Sequence, residues 1–276
     1  MPTKTDAEKY EIDPIDGLRR ELVGVWASEK HLRLKRYVDI TWATRKKFGG
    51  NSSYIDLYCG PGRARIKATD EVIDGGAVLA AKESIKHVGF GSLHVGDIDP
   101  VNLDACQTRL KALHFQNVTA HLGKSDHTAV AVVQALSPTG LHLAYLDPYS
   151  IDQLPFSVIE TLASRQRMDM IIHVSLMDLQ RNLRAKMLNG KLDQFAPGWA
   201  SSVDASQRDD LVLQAVFRHW RALLGALNYK VSDNIERITG SKNQPLYWLV
   251  LAARHELADK FWGQVSHVQP QARLPF

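Results

Sequence analysis

The chain has 276 residues, 45% of them apolar, with 34 basic and 30 acidic side chains, a formal charge of +4 and a pI near 9.0. That apolar content excludes a disordered chain, and two cysteines, Cys59 and Cys106, exclude a disulfide scaffold. No apolar run of about 18 residues occurs and the first residues are polar, so we expect no membrane span, no signal core, and a cytoplasmic protein with two buried free thiols.

Residues 1–17 read as a loose polar lead-in. From Leu18 to Lys47 apolar positions recur at helical spacing, with a restart near Ser28, which predicts an N-terminal helical extension over 1–50. Ser53–Tyr58 predicts a buried strand running into the turn Gly60-Pro61-Gly62. A charged loop over 63–75 separates it from a helix at 77–87, a strand at 92–97 and a helix at 100–113 opened by Pro100. A strand at 117–122, a helix at 127–136, the turn Ser137–Gly140 and a strand at 141–146 come next. After a helix at 155–163, the apolar run Met168–Val174 suits a central strand. Between 176 and 207 periodicity fades and Arg, Lys, Asn and Gly gather, predicting an irregular basic insertion in an α/β domain that spans 51–276. A helix at 208–226 precedes two strands, 229–238 and 246–253, whose short link Gly240-Ser-Lys-Asn suits an antiparallel hairpin, and a helix at 255–265 ends the pattern. The class implied is α/β: a Rossmann-like, seven-stranded, mostly parallel sheet with a C-terminal antiparallel hairpin and helices on both faces.

Three apolar strands end in carboxylates, Asp56, Asp97 and Asp147, and open α/β sheets bind ligands at such strand ends. Gly60 and Gly62 let backbone approach a ligand, and Asp97, with Asp99 as its substitute, suits ribose hydroxyls. The long 63–75 loop moves the next helix away from the glycine turn and weakens the usual pyrophosphate cradle. S-adenosylmethionine, with a ribose and an amino-acid end but no phosphate, fits better, and an NAD-dependent oxidoreductase also lacks its third glycine. Asp126 either meets an adenine amino group or caps a helix. Asp147-Pro-Tyr149 is the candidate reaction centre: the carboxylate orients an amino nitrogen and the ring stacks on a flat acceptor, although the second proline of the adenine-methylase tetrapeptide is missing. Lys30 and His31 either close over the pocket or lie on a solvated helix face. Arg63 and Arg65, with Arg181 and Arg184, form two basic segments that either grip a nucleic-acid backbone or are solvated. No metal-ligand spacing is visible.

Together these segments resemble class I S-adenosylmethionine-dependent methyltransferases. More closely, Trp26-Ala-Ser-Glu-Lys30-His31, Tyr54 to Gly62, Asp74-Gly-Gly-Ala-Val-Leu79, Asp147-Pro-Tyr149, Leu246 to His255 and Phe261-Trp262 resemble the three-Cys-motif partner protein family, TcmP. The resemblance implies a methyltransferase fold with S-adenosylmethionine as cofactor and a three-Cys-motif protein as a partner; the acceptor is left open, with nucleic acid a candidate from the two basic segments. The alternative is a methyltransferase-fold module that binds nucleic acid or a partner protein without chemistry.

Overall fold

A computed structural model describes residues 6–232, 236–239 and 245–266. The elements in chain order are α1 (Asp6–Lys9), β1 (Tyr10–Ile12), β2 (Arg19–Val23), α2 (Trp26–Ile40), α3 (Trp42–Lys47), β3 (Ser52–Asp56), β4 (Arg63–Ile66), β5 (Val72–Asp74) and α4 (Gly76–Ser84). Then follow β6 (Ser92–Asp97), α5 (Pro100–Ala112), β7 (Val118–Leu122), α6 (Ser125–Ala135), β8 (Leu141–Leu146), α7 (Phe156–Ala163), β9 (Met168–Val174), α8 (Leu176–Leu188) and α9 (Lys191–Phe195). The last are α10 (Asp209–Ala226), β10 (Lys230–Val231), β11 (Glu236–Thr239), β12 (Pro245–Ala253) and α11 (Glu256–Ser266).

The main sheet has the order β10-β12-β9-β8-β3-β6-β7, with β11 also on β12. Strands β7, β6, β3, β8 and β9 are parallel, and β12 is antiparallel to β9. β10 and β11 pair with successive stretches of β12, on the edge away from β9, so the sheet has seven strand positions with the last one interrupted. The expected hairpin is present; its 240–244 link lies outside the described residues. The chain starts in the middle at β3, builds outward to β7, and returns to β8 on the other side. The crevice between the carboxyl ends of β3 and β8 is therefore the topological switch point.

Side chains alternate across this sheet as period two requires. Tyr54, Leu93, Val95, Leu143, Tyr145 and Ile171 pack with Leu34, Val38, Val78, Leu110 and Trp262. Ile55, Ala144, Leu146, Met170 and Ile172 pack with Val132, Ile159, Leu183, Val216 and Trp220 on the opposite face. Both thiols are buried and unpaired. No helix among the described residues is long and apolar enough to cross a membrane.

Three expectations change. Residues 10–12 of the lead-in and residues 19–23 of the presumed helix are strands: β2 pairs antiparallel with β1 and parallel with β4, which pairs with β5, making a second four-stranded sheet. The charged 63–75 loop is thus a hairpin. Arg63 and Arg65 pair with Asp13, Asp16 and Glu11 of the preceding segment, while Lys67, Asp70 and Glu71 at the hairpin tip are exposed. The 176–207 insertion is mostly helical, with Ser175 capping α8 by accepting from the Asp178 N–H at 3.3 Å and Leu176, Leu179 and Leu183 buried along one face.

Candidate functional site

The small sheet lies against the glycine turn because a buried charge network clamps it there. Asp13, with no exposed surface, faces Arg63 at 3.0 Å, Arg20 at 3.3 Å and Arg109 at 3.7 Å. Arg109 grips Asp16 with two donors at 2.8 and 2.9 Å and donates to the Pro61 carbonyl at 2.6 Å. Gly60 and Gly62 have φ of 54° and 78°, the left-handed region that favours glycine. A Cβ on Gly62 would lie 3.0 Å from Val78. Gly76 starts α4 where a Cβ would lie 2.9 Å from the Tyr145 ring and 3.1 Å from Asp56 Oδ2.

These glycines line a narrow cleft of about 50 Å³ with Glu21, Lys30, His31, Asp56, Tyr145 and Asp147 around it. Asp56 accepts from the Tyr58 N–H at 3.0 Å. Burial pushes its carboxyl up to about 8, opposed by that N–H and reinforced by Asp147 and Asp97. Asp147 is the opposite case. Burial pushes it up, but Lys30, with Nζ 2.6 Å from Oδ2, and His173, with Nδ1 3.2 Å from Oδ1, outweigh this and hold it at about 2. Two carboxylates at one switch point are thus driven apart, one neutral and one ionised at pH 7. His31 is driven down to about 3 by burial, then by Lys30, against the pull of Asp147; its Nδ1 has no hydrogen-bond partner. His173 is lowered to about 4 by burial, and its ring stands edge-on to Tyr247 with centroids 3.9 Å apart.

The strand-end residues come together as expected, with amendments. Asp97 accepts from the Gly60 N–H at 3.0 Å and the Asp99 N–H at 2.8 Å, so it also braces the glycine turn; burial raises its carboxyl despite these bonds. Asp99 caps α5 and pairs with Arg19 at 2.5 Å, so it is not a free substitute for Asp97. Asp126 sits in the first turn of α6 and accepts from the His127 N–H at 2.9 Å; the N-cap position is held by Lys124, which makes no side-chain cap. Tyr149 is 71% exposed beside Asp147. Lys30 and His31 face the cleft, so the solvated-face alternative is set aside.

The basic segments do not converge as expected. Arg63 lines the cleft but pairs with Asp13 and Asp16, and Arg65 pairs with Glu11 and Asp70. Arg184 pairs with Asp209 at 2.8 Å and donates to the Ala205 and Gln207 carbonyls, knitting α8 to the loop before α10. Arg181 is exposed on α8. Reasoning from sequence missed His173, the one imidazole in the apolar Met168–Val174 run, and Glu21, which lay in a presumed helix. It also missed Ile98 and Leu122, apolar and 63% and 59% exposed beside Asp97.

No protein-family model matches the chain, and no curated protein sequence matches it. Among solved structures it resembles protein LPL1258 from Legionella pneumophila, with a TM-score of 0.50 at 10% identity over 86% of this chain and 90% of that one. TYW2 of M. jannaschii in complex with AdoMet gives 0.46 at 12% identity over 92% and 87%. The O-methyltransferase from Bacillus cereus in complex with SAH gives 0.46 at 9% over 82% and 80%. At such identities the likeness to the Legionella protein concerns the fold.

Proposed function

We propose that the protein is an S-adenosylmethionine-dependent methyltransferase of the three-Cys-motif partner kind, and that it acts on an amino nitrogen of a planar acceptor. The observation that carries this is the ionised Asp147 at the switch point, beside a glycine-lined cleft and the exposed ring of Tyr149. Gly60 and Gly76 leave backbone open to an amino-acid chain, Asp97 keeps lone pairs for a ribose, and Ile98 and Leu122 offer apolar contact to a flat base near Asp126. Bound there, the cofactor would supply an electrophilic methyl carbon for the acceptor nitrogen, with a thioether as the leaving group.

Asp147 accepts an N–H of the acceptor and so aims the nitrogen lone pair at that carbon. The ionised carboxylate stabilises the positive charge that develops on nitrogen, and the surplus proton passes to solvent. Tyr149 stacks on the acceptor. The chain's contribution is mainly positioning and charge placement. With Arg63, Arg65 and Arg184 already paired, nucleic acid is one acceptor candidate beside smaller planar amines. The test is incubation with methyl-labelled S-adenosylmethionine and fractions of cellular RNA, DNA and small molecules. We expect label in one fraction and none with Asp147→Ala; full turnover by that variant refutes the assignment. A binding module without chemistry is the second reading, favoured by the occupied carboxylate and the small cleft. Cofactor binding with transfer to no fraction would select it.

A further inference from the structure

In Asp147 as it stands the oxygen on the Lys30 side, Oδ2, is taken, while Oδ1 accepts no hydrogen bond from the neutral His173 beside it. Oδ2 holds the Lys30 ammonium at 2.6 Å with the Tyr145 hydroxyl at 3.5 Å, and Oδ1 faces His173 at 3.2 Å. The two side chains of the ion pair are only 16% and 15% exposed, so separating them without a replacement would leave a poorly solvated carboxylate and ammonium. The same pair stands across a cleft of about 50 Å³, whereas small-molecule sites run to roughly 300–1,000 Å³. Lys30 must therefore turn away both to widen the cleft and to uncover Asp147 Oδ2, and it needs another anion to turn to.

The protein offers none nearby. Asp56, across the cleft, is kept neutral at pH 7 by its burial. Glu21, at the lip beside Gly60, has interactions of its own. The rest of the wall includes backbone at Gly60, Gly62, Gly75 and Gly76, apolar side chains such as Val23 and Ala27, and Arg63, which is already paired with Asp13 and Asp16; none of these carries an anion. The ligand has to bring the anion, and a nucleoside with an amino-acid end does so. Its carboxylate is small enough to lie against glycine backbone within the swing of a lysine stem.

Resting on the methyltransferase reading, we infer that Lys30 is an exchangeable counter-ion: it neutralises Asp147 in the arrangement described here and passes to the α-carboxylate of the bound nucleoside, which frees Asp147 Oδ2 for the acceptor amine. The two sites are then coupled through one ammonium group. The cofactor's amino-acid end opens the acceptor site, and binding is ordered with the acceptor second. A Lys suits this role better than an Arg, because its point charge on a flexible stem changes partners without a fixed fork geometry.

Calorimetry on the full chain tests this with two probes, S-adenosylhomocysteine and 5′-methylthioadenosine, which share the nucleoside and thioether but of which only the first has the amino-acid end. The natural protein should bind the first about 10- to 100-fold tighter, the range a charge-assisted contact supports. Lys30→Met should shrink that preference to within about 3-fold by weakening the first probe alone, and unchanged binding of the second shows that the site is still folded. Asp147→Asn removes the competitor for the ammonium, so it should tighten the first probe several-fold and leave the second unchanged. Equal affinity of the natural protein for the two probes, an undiminished preference in Lys30→Met, or weaker binding of the first probe by Asp147→Asn each overturns the exchange while leaving nucleoside binding in place. Binding of neither probe by the natural protein overturns the exchange and the cofactor reading together.

Discussion

Replacing Asp56 by asparagine should make the protein more stable, and increasingly so as pH rises. Its carboxyl titrates at about 8 in the fold against 3.8 for the free group, because burial penalises the charge. The sign follows directly. A raised folded-state value contributes stability below 3.8 that is lost as pH climbs toward 8, since the unfolded chain ionises there and the folded chain resists. Each pH unit inside that window costs about 1.4 kcal/mol, so at pH 7 the penalty has a ceiling of about 4 kcal/mol. Relaxation and water entry reduce this, and we expect about 2 kcal/mol in practice. The amide keeps the acceptor for the Tyr58 N–H, now at 3.0 Å, and has nearly the same shape, so little packing is lost. Urea unfolding of both proteins at pH 4, 6 and 8 measures the effect. The two midpoints should nearly coincide at pH 4 and separate steadily to pH 8, with the variant higher. A gap that does not grow with pH, or a variant less stable at pH 8, refutes the claim that Asp56 is held neutral.

Other outcomes follow from the same geometry. Asp97→Ala should weaken S-adenosylhomocysteine binding by about 1.5–3 kcal/mol in calorimetry, both through the lost ribose acceptor and because the Gly60 N–H loses its brace at 3.0 Å; tight NAD binding with no adenosylhomocysteine binding would refute the cofactor choice. His94 is driven down to about 4 by burial and by the neighbouring His121 and His142, so the folded chain resists its protonation. Stability should therefore fall as pH drops from about 6.5 toward 4, and His94→Gln should remove part of that fall in thermal melts read across the window. Arg184→Ala should lower stability by about 1 kcal/mol by loosening α8 from the loop before α10, and should leave the salt dependence of any nucleic-acid binding unchanged in a filter assay.

The central strands β3, β6, β8 and β9 were legible because each is buried along most of its length and carries an apolar stretch, whereas β7, at the edge, is only partly buried. β1, β2 and β4 were not legible. They are short and rich in charged residues, and part of their cohesion comes from ion pairs such as Arg65 with Glu11, whose partners lie 54 residues apart. α8 was hidden for a related reason: one row of leucines is buried and the other positions are largely polar, so its overall composition resembles that of a loop. At the site, Gly60, Gly62, Asp97 and Asp147 could be found because parallel register brings strand ends to one edge. That Lys30 meets Asp147, 117 residues away, and that His173 flanks it from a neighbouring strand, depend on packing that no local pattern encodes.

The parallel pairing of β2 with β4 has a consequence for how the molecule assembles and opens. β2 leaves the ribosome early, yet its partner is placed only after β3 and the glycine turn have formed, so its pairing is among the later events of folding. Segments that join last on few backbone bonds are commonly the first to detach, and β2 holds β4 over three residue pairs with both strands only partly buried. In native-state hydrogen exchange, the amides of β1 and β2 should open together at lower free energy than those of β3 or β9. Glu21 would move with that unit, and Lys30 follows it by a short span of chain, so brief detachment of the N-terminal strands would give a bulky nucleoside a way into a cleft that is otherwise too tight to admit it.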